Sequence, residues 1–225
     1  MSNTARSKSS HPQRYIPALR FDWLTQFYDP VVRVTTKEEK FKALLVAQAN
    51  LSPGQRVLDV GCGTGTLMIM LKRAQPLAQV LGLDGDANVL KLAKRKLEAA
   101  GIDAELSQGM ASAPPFDDGS FDRVVSSLFF HHLATADKKA ALARARRLLR
   151  AGGELHIADW GKAQNIAMRA AFVGVQLLDG FATTTDNVTG MLPTYMRDAG
   201  FSEVQETHRE MTLLGTISLY RAVAQ

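Results

Sequence analysis

The stretch VLDVGCGTG, residues Val57–Gly65, decides the fold class of this 225-residue chain. It begins as an apolar run interrupted by one carboxylate and ends in three alternating glycines, Gly61, Gly63 and Gly65. Glycines let backbone N–H groups approach a ligand, and the helix that begins near Thr66 adds partial positive charge. The stretch therefore predicts a strand that enters a ligand-binding turn at the carboxyl edge of a sheet.

Asp59 discriminates between two ligands for this turn. A dinucleotide-binding fingerprint has the same opening, but its third glycine comes one residue later and its loop faces a pyrophosphate. A carboxylate two residues before Gly61 would repel a pyrophosphate, whereas it suits a ligand that carries an ammonium and a sulfonium. S-adenosylmethionine is such a ligand. We therefore expect it here in preference to NAD.

Apolar strand-like runs alternate with amphipathic helical runs from Gln55 onward. This alternation predicts one α/β domain, with a mostly parallel sheet covered by helices on both faces. Three of the predicted helices are followed by a glycine that favours a C-terminal end, at Gly101, Gly152 and Gly200. The last two predicted strands form a hairpin with Gly215 in its turn. The predicted strands are 56–60, 79–83, 104–108, 122–127, 153–158, 203–212 and 215–223, and the predicted helices are 37–50, 65–74, 86–100, 136–149, 163–180 and 188–199.

Composition narrows the class of protein. The single cysteine, Cys62, excludes an internal disulfide framework and a cysteine-rich metal site, and no metal site is predicted. No run of eighteen apolar residues occurs and the N-terminus is polar, so we expect a cytoplasmic protein without stable membrane insertion.

The net charge of +5 is concentrated at the N-terminus. Residues 1–20 carry four cations and no acid, which leaves 5 − 4 = +1 for the rest, and further basic runs lie on helical patterns as solvated faces. No nucleic-acid partner is therefore predicted. Residues 1–12 are predicted to be a disordered basic leader before a single domain at 13–225.

Asp84 ends the next predicted strand, where its carboxylate could accept hydrogen bonds from ribose hydroxyls. The alternative is that Asp84 caps the following helix, but Asp86 is available for that role.

Residues 40–160 resemble the class I S-adenosylmethionine-dependent methyltransferases, and more narrowly the branch of ubiquinone and menaquinone biosynthesis. The resemblance rests on four motifs, at 57–66, 82–84, 115–122 (PFDDGSFD) and 147–153 (RLLRAGG). It implies a Rossmann-like, doubly wound seven-stranded sheet whose last strand is antiparallel.

The resemblance also implies a set of cofactor-binding residues. Asp59 and the glycine loop would hold the methionine portion, Asp84 the ribose, and Gly85 would lie beside the adenosine. Met110 stands where the family often has an aspartate, so it could pack on adenine but could not accept its amino hydrogen bond. The predicted set is Asp59, Gly61, Cys62, Gly63, Gly65, Thr66, Asp84, Gly85, Met110, Ala111, Ser126 and Ser127.

Catalytic candidates follow the fourth and fifth strands, whose ends flank the methyl group in this topology. His131 is the candidate base, with a structural role as its alternative, and His132 should diverge from it because neighbours on a turn point apart. Asp159 could orient the substrate and Trp160 could stack on it. Their alternatives are a helix cap for Asp159 and ordinary packing for Trp160.

Substrate contacts are predicted for aromatic residues and for two segments. Residues 13–50 form a candidate lid, and 163–195 a substrate-side insertion whose apolar side chains could form a substrate wall, a homodimer face or simply a cover for the sheet. Core packing is the alternative for the lid aromatics. The predicted substrate residues are Trp23, Tyr28, Phe130, His131 and Trp160.

The predicted function is methyl transfer from S-adenosylmethionine to a small apolar or aromatic acceptor, with release of S-adenosylhomocysteine. Three alternatives are a nicotinamide-dependent oxidoreductase, a non-catalytic S-adenosylmethionine-binding module, and methylation of a membrane quinone or lipid with the basic tail on anionic headgroups.

Overall fold

The computed structural model describes residues 38–225, apart from the side chains of Ala167, Ala171, Leu178 and Asp179. The predicted leader and the predicted lid aromatics Trp23 and Tyr28 lie outside the described residues. No described helix is long and apolar enough to cross a membrane.

Residues 38–225 form seven strands and seven α-helices. The strands are β1 (Arg56–Val60), β2 (Gln79–Asp84), β3 (Glu105–Gln108), β4 (Phe121–Ser127), β5 (Leu149–Trp160), β6 (Phe201–Met211) and β7 (Thr216–Ala224). The helices are α1 (Glu38–Ala49), α2 (Thr66–Ala74), α3 (Ala87–Ala99), α4 (Thr135–Leu148), α5 (Ile166–Asp179), α6 (Phe181–Val188) and α7 (Leu192–Asp198), with a 3₁₀ turn at Phe130–His132.

The strands form one sheet in the order β3-β2-β1-β4-β5-β7-β6. All pairings are parallel except those of β7, which runs antiparallel to both β5 and β6. This confirms the predicted fold class, and β6 with β7 is the predicted hairpin. The strand order reverses between β1 and β4, so the ends of these strands form the crevice in which such sheets bind ligands.

Helices cover both faces of the sheet because successive side chains of each strand point to opposite sides. Val57 and Val125 join an apolar cluster with α1, α2, α3 and α5. Leu58 and Val124 join the opposite cluster with α4 and α7. The two clusters fix the height of the strand ends and therefore the positions of the loops that follow them.

Two predicted boundaries are wrong. The predicted helix 188–199 is shorter and is α7 alone, because Gly190 at φ 79 interrupts the segment and Pro193 favours a helix start, so α7 begins at Leu192. Helix α6 (Phe181–Val188) was not predicted. Gly152, at φ 74, lies inside β5 and is not a helix stop, because β5 begins directly after α4 and its pairing with β4 shifts register there.

Replacing Gly82 by alanine is expected to destabilise the protein. A Cβ at Gly82 would lie 2.5 Å from Met68 Sδ and 2.9 Å from Cys62 Sγ, so the core must shift to admit it. Overpacking of this kind costs about 1–3 kcal/mol, which urea denaturation would measure.

Gly174→Ala is the matched control. An added Cβ there meets nothing within 4 Å, and the position lies inside α5. Alanine should therefore stabilise the protein by up to about 1 kcal/mol. Equal effects of the two substitutions would contradict the packing described at Gly82.

Candidate cofactor and catalytic site

The glycine loop closes tightly against the end of β2. Gly61, Gly63 and Gly65 all have positive φ, at 69°, 54° and 79°. The backbone N–H of Gly61 donates to the Leu83 carbonyl oxygen at 2.8 Å, which holds the loop at the level of the strand ends. A Cβ at Gly65 would lie 3.5 Å from that of Ala93, an ordinary van der Waals distance, so at this position the left-handed backbone rather than space favours glycine.

Lys96 of α3 secures the start of α2. Its Nζ donates to Thr66 Oγ1 at 2.6 Å and to Thr64 Oγ1 at 3.3 Å. The hydroxyl of Thr66, a predicted cofactor residue, is therefore engaged by the protein itself. Nothing in the loop sequence indicated this contact, because Lys96 lies thirty residues away on a helix with the pattern of a solvated face.

Asp84 joins the glycine loop to the end of β2. Its Oδ2 accepts the Gly63 N–H at 3.0 Å, and its Oδ1 accepts the Asp86 N–H at 3.0 Å. Burial raises the pKa of Asp84, and these N–H donors oppose the rise. Asp86 caps α3 by accepting the Asn88 N–H at 2.8 Å, so Asp84 is not the cap. Each carboxylate oxygen keeps a lone pair that a ribose hydroxyl could use.

Asp59 is a buried acid without a counter-charge in hydrogen-bonding range. Its side chain is 1% exposed, and neither carboxylate oxygen has a hydrogen-bond partner among residues 38–225. Burial raises its pKa to about 7, the charge of Lys42 lowers it, and Asp84 adds to the rise. An unpaired buried carboxylate is costly, so this position suits a ligand that supplies an ammonium group. S-adenosylmethionine and S-adenosylhomocysteine both carry one.

Leu128 turns the chain between the glycine loop and the catalytic candidates. It follows β4 with φ 51, a left-handed conformation that is rare for a bulky residue and is found at functional sites. The next residue, Phe129, lies over the loop, since a Cβ at Gly61 would collide with its ring. Sequence reasoning selected Phe130, but Phe130 is buried in the core with α4 and the ring against the loop is that of Phe129.

His131 and Asp159 form a buried pair at the ends of β4 and β5. His131 Nδ1 lies 2.7 Å from Asp159 Oδ1, and the His131 backbone N–H donates to Asp159 Oδ2 at 3.2 Å. A carboxylate can only accept, so Nδ1 carries the proton of this hydrogen bond. Asp159 Oδ1 also accepts the Trp160 N–H at 2.7 Å. Asp159 is therefore no helix cap, and Asn165 caps α5.

A second polar cluster lies beside this pair. Lys138 of α4 is fully buried, donates to the Thr183 carbonyl oxygen and lies 3.5 Å from Asp186 Oδ2. Burial lowers the pKa of Lys138, whereas Asp186 and Asp159 raise it. Sequence reasoning missed Lys138. The available signal was its place on the apolar stripe of α4, three and four residues before the buried Ala141 and Leu142.

Comparison with known proteins agrees with this geometry. Residues 57–153 match the protein family described as "Methyltransferase domain". A demethylmenaquinone methyltransferase of Thermus thermophilus is 39% identical over 106 residues, 47% of each chain. One of Symbiobacterium thermophilum is 26% identical over 92% of each chain. A candidate methyltransferase structure from Bacillus halodurans has a TM-score of 0.63 at 26% identity, covering 75% of this chain and 71% of that one.

Residues 57–153 carry the methyltransferase domain that this family model describes. These matches confirm the predicted resemblance to the ubiquinone and menaquinone branch of the class I methyltransferases, and with it S-adenosylmethionine as the cofactor. The aligned part of the chain spans about half the length of the Thermus relative.

Three of the predicted site residues of the methyltransferase domain have internal roles. Ser126 is fully buried and its hydroxyl donates to the Val60 carbonyl oxygen at 2.8 Å, which ties β4 to β1. Cys62 points into the core, where burial raises the pKa of its thiol, so only its backbone faces the loop. Trp160 is 4% exposed and packs edge-on against Phe172, with ring centroids 5.1 Å apart. For Trp160 the structure favours the packing alternative.

The two neighbouring histidines do not diverge as expected. Their ring centroids are only 3.9 Å apart, because the 3₁₀ turn is tighter than an α-helix and brings His132 back against His131. Burial lowers the pKa of His132 well below its usual range, and His131 and Lys138 lower it further. His132 is therefore neutral near pH 7.

Asp59→Asn is expected to stabilise the ligand-free methyltransferase domain in a pH-dependent way. The folded-state pKa of about 7 exceeds the ordinary value of 3.8, so wild type loses stability between pH 4 and 7, where Asp59 is ionised in the unfolded chain but still protonated in the folded protein. Asparagine has no such loss, so its advantage should grow over that interval by roughly 4 kcal/mol and level off above pH 7. Urea denaturation at pH 5, 6, 7 and 8 measures the difference. A difference that does not change with pH would refute the buried ionisation.

Proposed function

We propose that Asp59 and the glycine loop bind the methionine end of S-adenosylmethionine. The observation that supports this is the unpartnered Asp59 carboxylate, which a ligand ammonium would neutralise. Asp84 would accept the ribose hydroxyls with its remaining lone pairs, Gly85 would lie beside the adenosine, and Met110, which is half-buried, would pack against adenine with Ala111. Ser127, half-buried at the end of β4, completes this cofactor edge.

Binding of S-adenosylhomocysteine at pH 7 should release about half a proton. Asp59 is half protonated there before binding, and the ammonium of the ligand would force its ionisation. Calorimetry in phosphate and in Tris, whose ionisation enthalpies differ, measures the number of protons released. Asp59→Asn should abolish both the release and most of the affinity. Tight binding of NAD without S-adenosylhomocysteine binding would count against the assignment.

We further propose that the acceptor is a ring carbon of a small hydroxylated aromatic molecule of the quinol class. The observation that carries this proposal is the buried pair of His131 and Asp159, 2.7 Å apart. An acceptor that must lose a proton to become nucleophilic needs a base, whereas a thiolate or tertiary amine needs none. The relatives named demethylmenaquinone methyltransferase support the same class of acceptor.

The proposed reaction begins with proton transfer from a quinol hydroxyl to His131 Nε2. The resulting phenolate directs electron density to the ring carbon, which attacks the methyl group as its bond to sulfur breaks. The products are S-adenosylhomocysteine and a methylated ring that regains aromaticity as its ring proton passes to solvent water, and the His131 imidazolium then returns its proton to the phenolate oxygen. Asp159 would hold the imidazole in its basic tautomer and stabilise the imidazolium that forms.

His131→Asn should lower kcat for a demethylated quinol by about 10²–10³, with S-adenosylhomocysteine affinity unchanged. Because the hydroxyl must then ionise unaided, the variant's kcat should rise about tenfold per pH unit up to about pH 10, near the pKa of a phenol. Stopped assays of S-adenosylhomocysteine formation across pH measure this profile.

His132→Asn is the matched control, since His132 has no bond to Asp159 among the described contacts. Its kcat should stay within about threefold of wild type. Loss of activity without a changed pH profile in His131→Asn would withdraw the base, and binding without turnover of any quinol, phenol or thiol would favour a non-catalytic binding module.

A further inference from the structure

Helix α5 is apolar on two faces. Phe172 and Val175 are buried against the core, as expected of a helix that covers a sheet. Ile166 and Leu177 are instead 89% and 72% exposed, and Val173 lies between them. Residues spaced by seven and eleven share one side of a helix, so these three form a continuous outward stripe. A single buried face would have satisfied the fold, so the stripe requires another explanation.

The β6–β7 turn packs against α5. A Cβ at Gly215 would lie 2.8 Å from the ring of Phe172, and the Thr216 hydroxyl lies 3.7 Å from Met168 Sδ. Leu213 at the tip of the turn is 76% exposed and adds an apolar side chain beside this helix. Because Trp160 at the end of β5 pairs with Ile217 next to the turn, both elements lie at the carboxyl edge of the parallel strands, where the buried pair of His131 and Asp159 also lies.

The charges around the amino-terminal two thirds of the stripe are of one sign. Residues 161–178 include Lys162 and Arg169 and no carboxylate, and the acid of α5 is its last residue, Asp179. Residues 211–216 carry no charge. Lys162 and Arg169 are both exposed, and Arg169 donates to Gln176 Oε1 at 2.8 Å on the same helix. Exposed apolar side chains flanked by cations are typical of helices that lie in the interface of an anionic bilayer.

We propose that the outward stripe of α5, with Leu213 and the cations Lys162 and Arg169, is a docking surface for an anionic lipid bilayer. Docking there is peripheral, with the helix parallel to the membrane and its apolar side chains in the headgroup region. The inference deepens the proposed function, because a quinol with an apolar tail is dissolved in the bilayer and could enter the crevice from the docked edge.

Flotation with lipid vesicles tests the surface without any acceptor. The full chain should bind vesicles of phosphatidylcholine and phosphatidylglycerol in equal parts, and bind phosphatidylcholine alone more weakly. The double change Ile166→Ser and Leu177→Ser should lower partitioning about tenfold or more. Lys162→Gln and Arg169→Gln should each lower partitioning to anionic vesicles about fivefold. Each change should also weaken the dependence of partitioning on salt concentration to a corresponding extent.

Leu77→Ser is the matched control. Leu77 is 69% exposed but lies before β2, at the amino edge of the sheet. Its replacement should leave partitioning unchanged. Equal loss in Leu77→Ser, or no binding of the unmodified chain to anionic vesicles, would overturn the proposal.

Two other occupants of the stripe are distinguished by parallel measurements. Self-association in sedimentation that the double change abolishes would assign the stripe to a second copy of the chain. A loss of several degrees in melting temperature in the double variant, without vesicles, would assign it to residues 1–37 of the same chain. Either result overturns bilayer docking. Turnover of a water-soluble short-chain quinol should be unaffected by the double change, so failure of that assay in wild type would instead count against the proposed reaction.

Discussion

The burial of the Asp59 carboxylate is the constraint on which the rest of the site depends. Asp59 lies in β1, and its neighbours on the adjacent strands are Gly82 of β2 and Val125 of β4. Neither of them has a side chain that could pair with the Asp59 carboxylate. The surrounding core is closely packed, as the space around Gly82 demonstrates. The charge of Lys42 already lowers the pKa of Asp59, and under the proposed function further compensation comes from a ligand ammonium at the carboxyl edge of the sheet. Folding stability would then be reduced at the position proposed to bind this cation.

The left-handed turn at Leu128 connects the glycine loop, the proposed site of the methyl donor, to the pair of His131 and Asp159, the proposed site of the acceptor. Within three residues the chain passes from Phe129, against Gly61, to His131, against Asp159. The Leu128 N–H donates to the Ala158 carbonyl oxygen at 2.8 Å, which fixes the turn to β5. A displacement of the glycine loop would therefore be transmitted to His131, the proposed base, through the contact of Phe129 with Gly61 and that of His131 with Asp159. Strain at a single residue is consistent with a site in which two ligands must meet at close range.

Local sequence patterns predicted most of the fold, including the glycine loop. Strand β1 and the glycine loop follow from apolar runs and glycine spacing, which are short-range properties. The misassigned residues depend on contacts between distant segments. The choice between Phe129 and Phe130 depends on one left-handed residue that reverses the side-chain alternation after β4. Lys138 is buried because Thr183 and Asp186 arrive from α6, forty-five residues later and more. The hydroxyl of Ser126 donates its hydrogen bond to a carbonyl oxygen of the neighbouring strand β1, a contact that residue spacing along the sequence does not indicate.

The buried carboxylates of Asp159 and Asp59 differ in whether the protein supplies their hydrogen-bond donors. Asp159 accepts two N–H groups from His131 and one from Trp160, so the chain itself satisfies its hydrogen-bonding capacity. Asp59 has no such donors within the described residues, and burial raises its pKa to about 7. The pair with His131 is accordingly preformed, whereas under the proposed function the Asp59 position is complete only when a cationic ligand occupies it. The proposed roles therefore favour an order in which the methyl donor binds first and the acceptor then meets an imidazole whose orientation was fixed by folding.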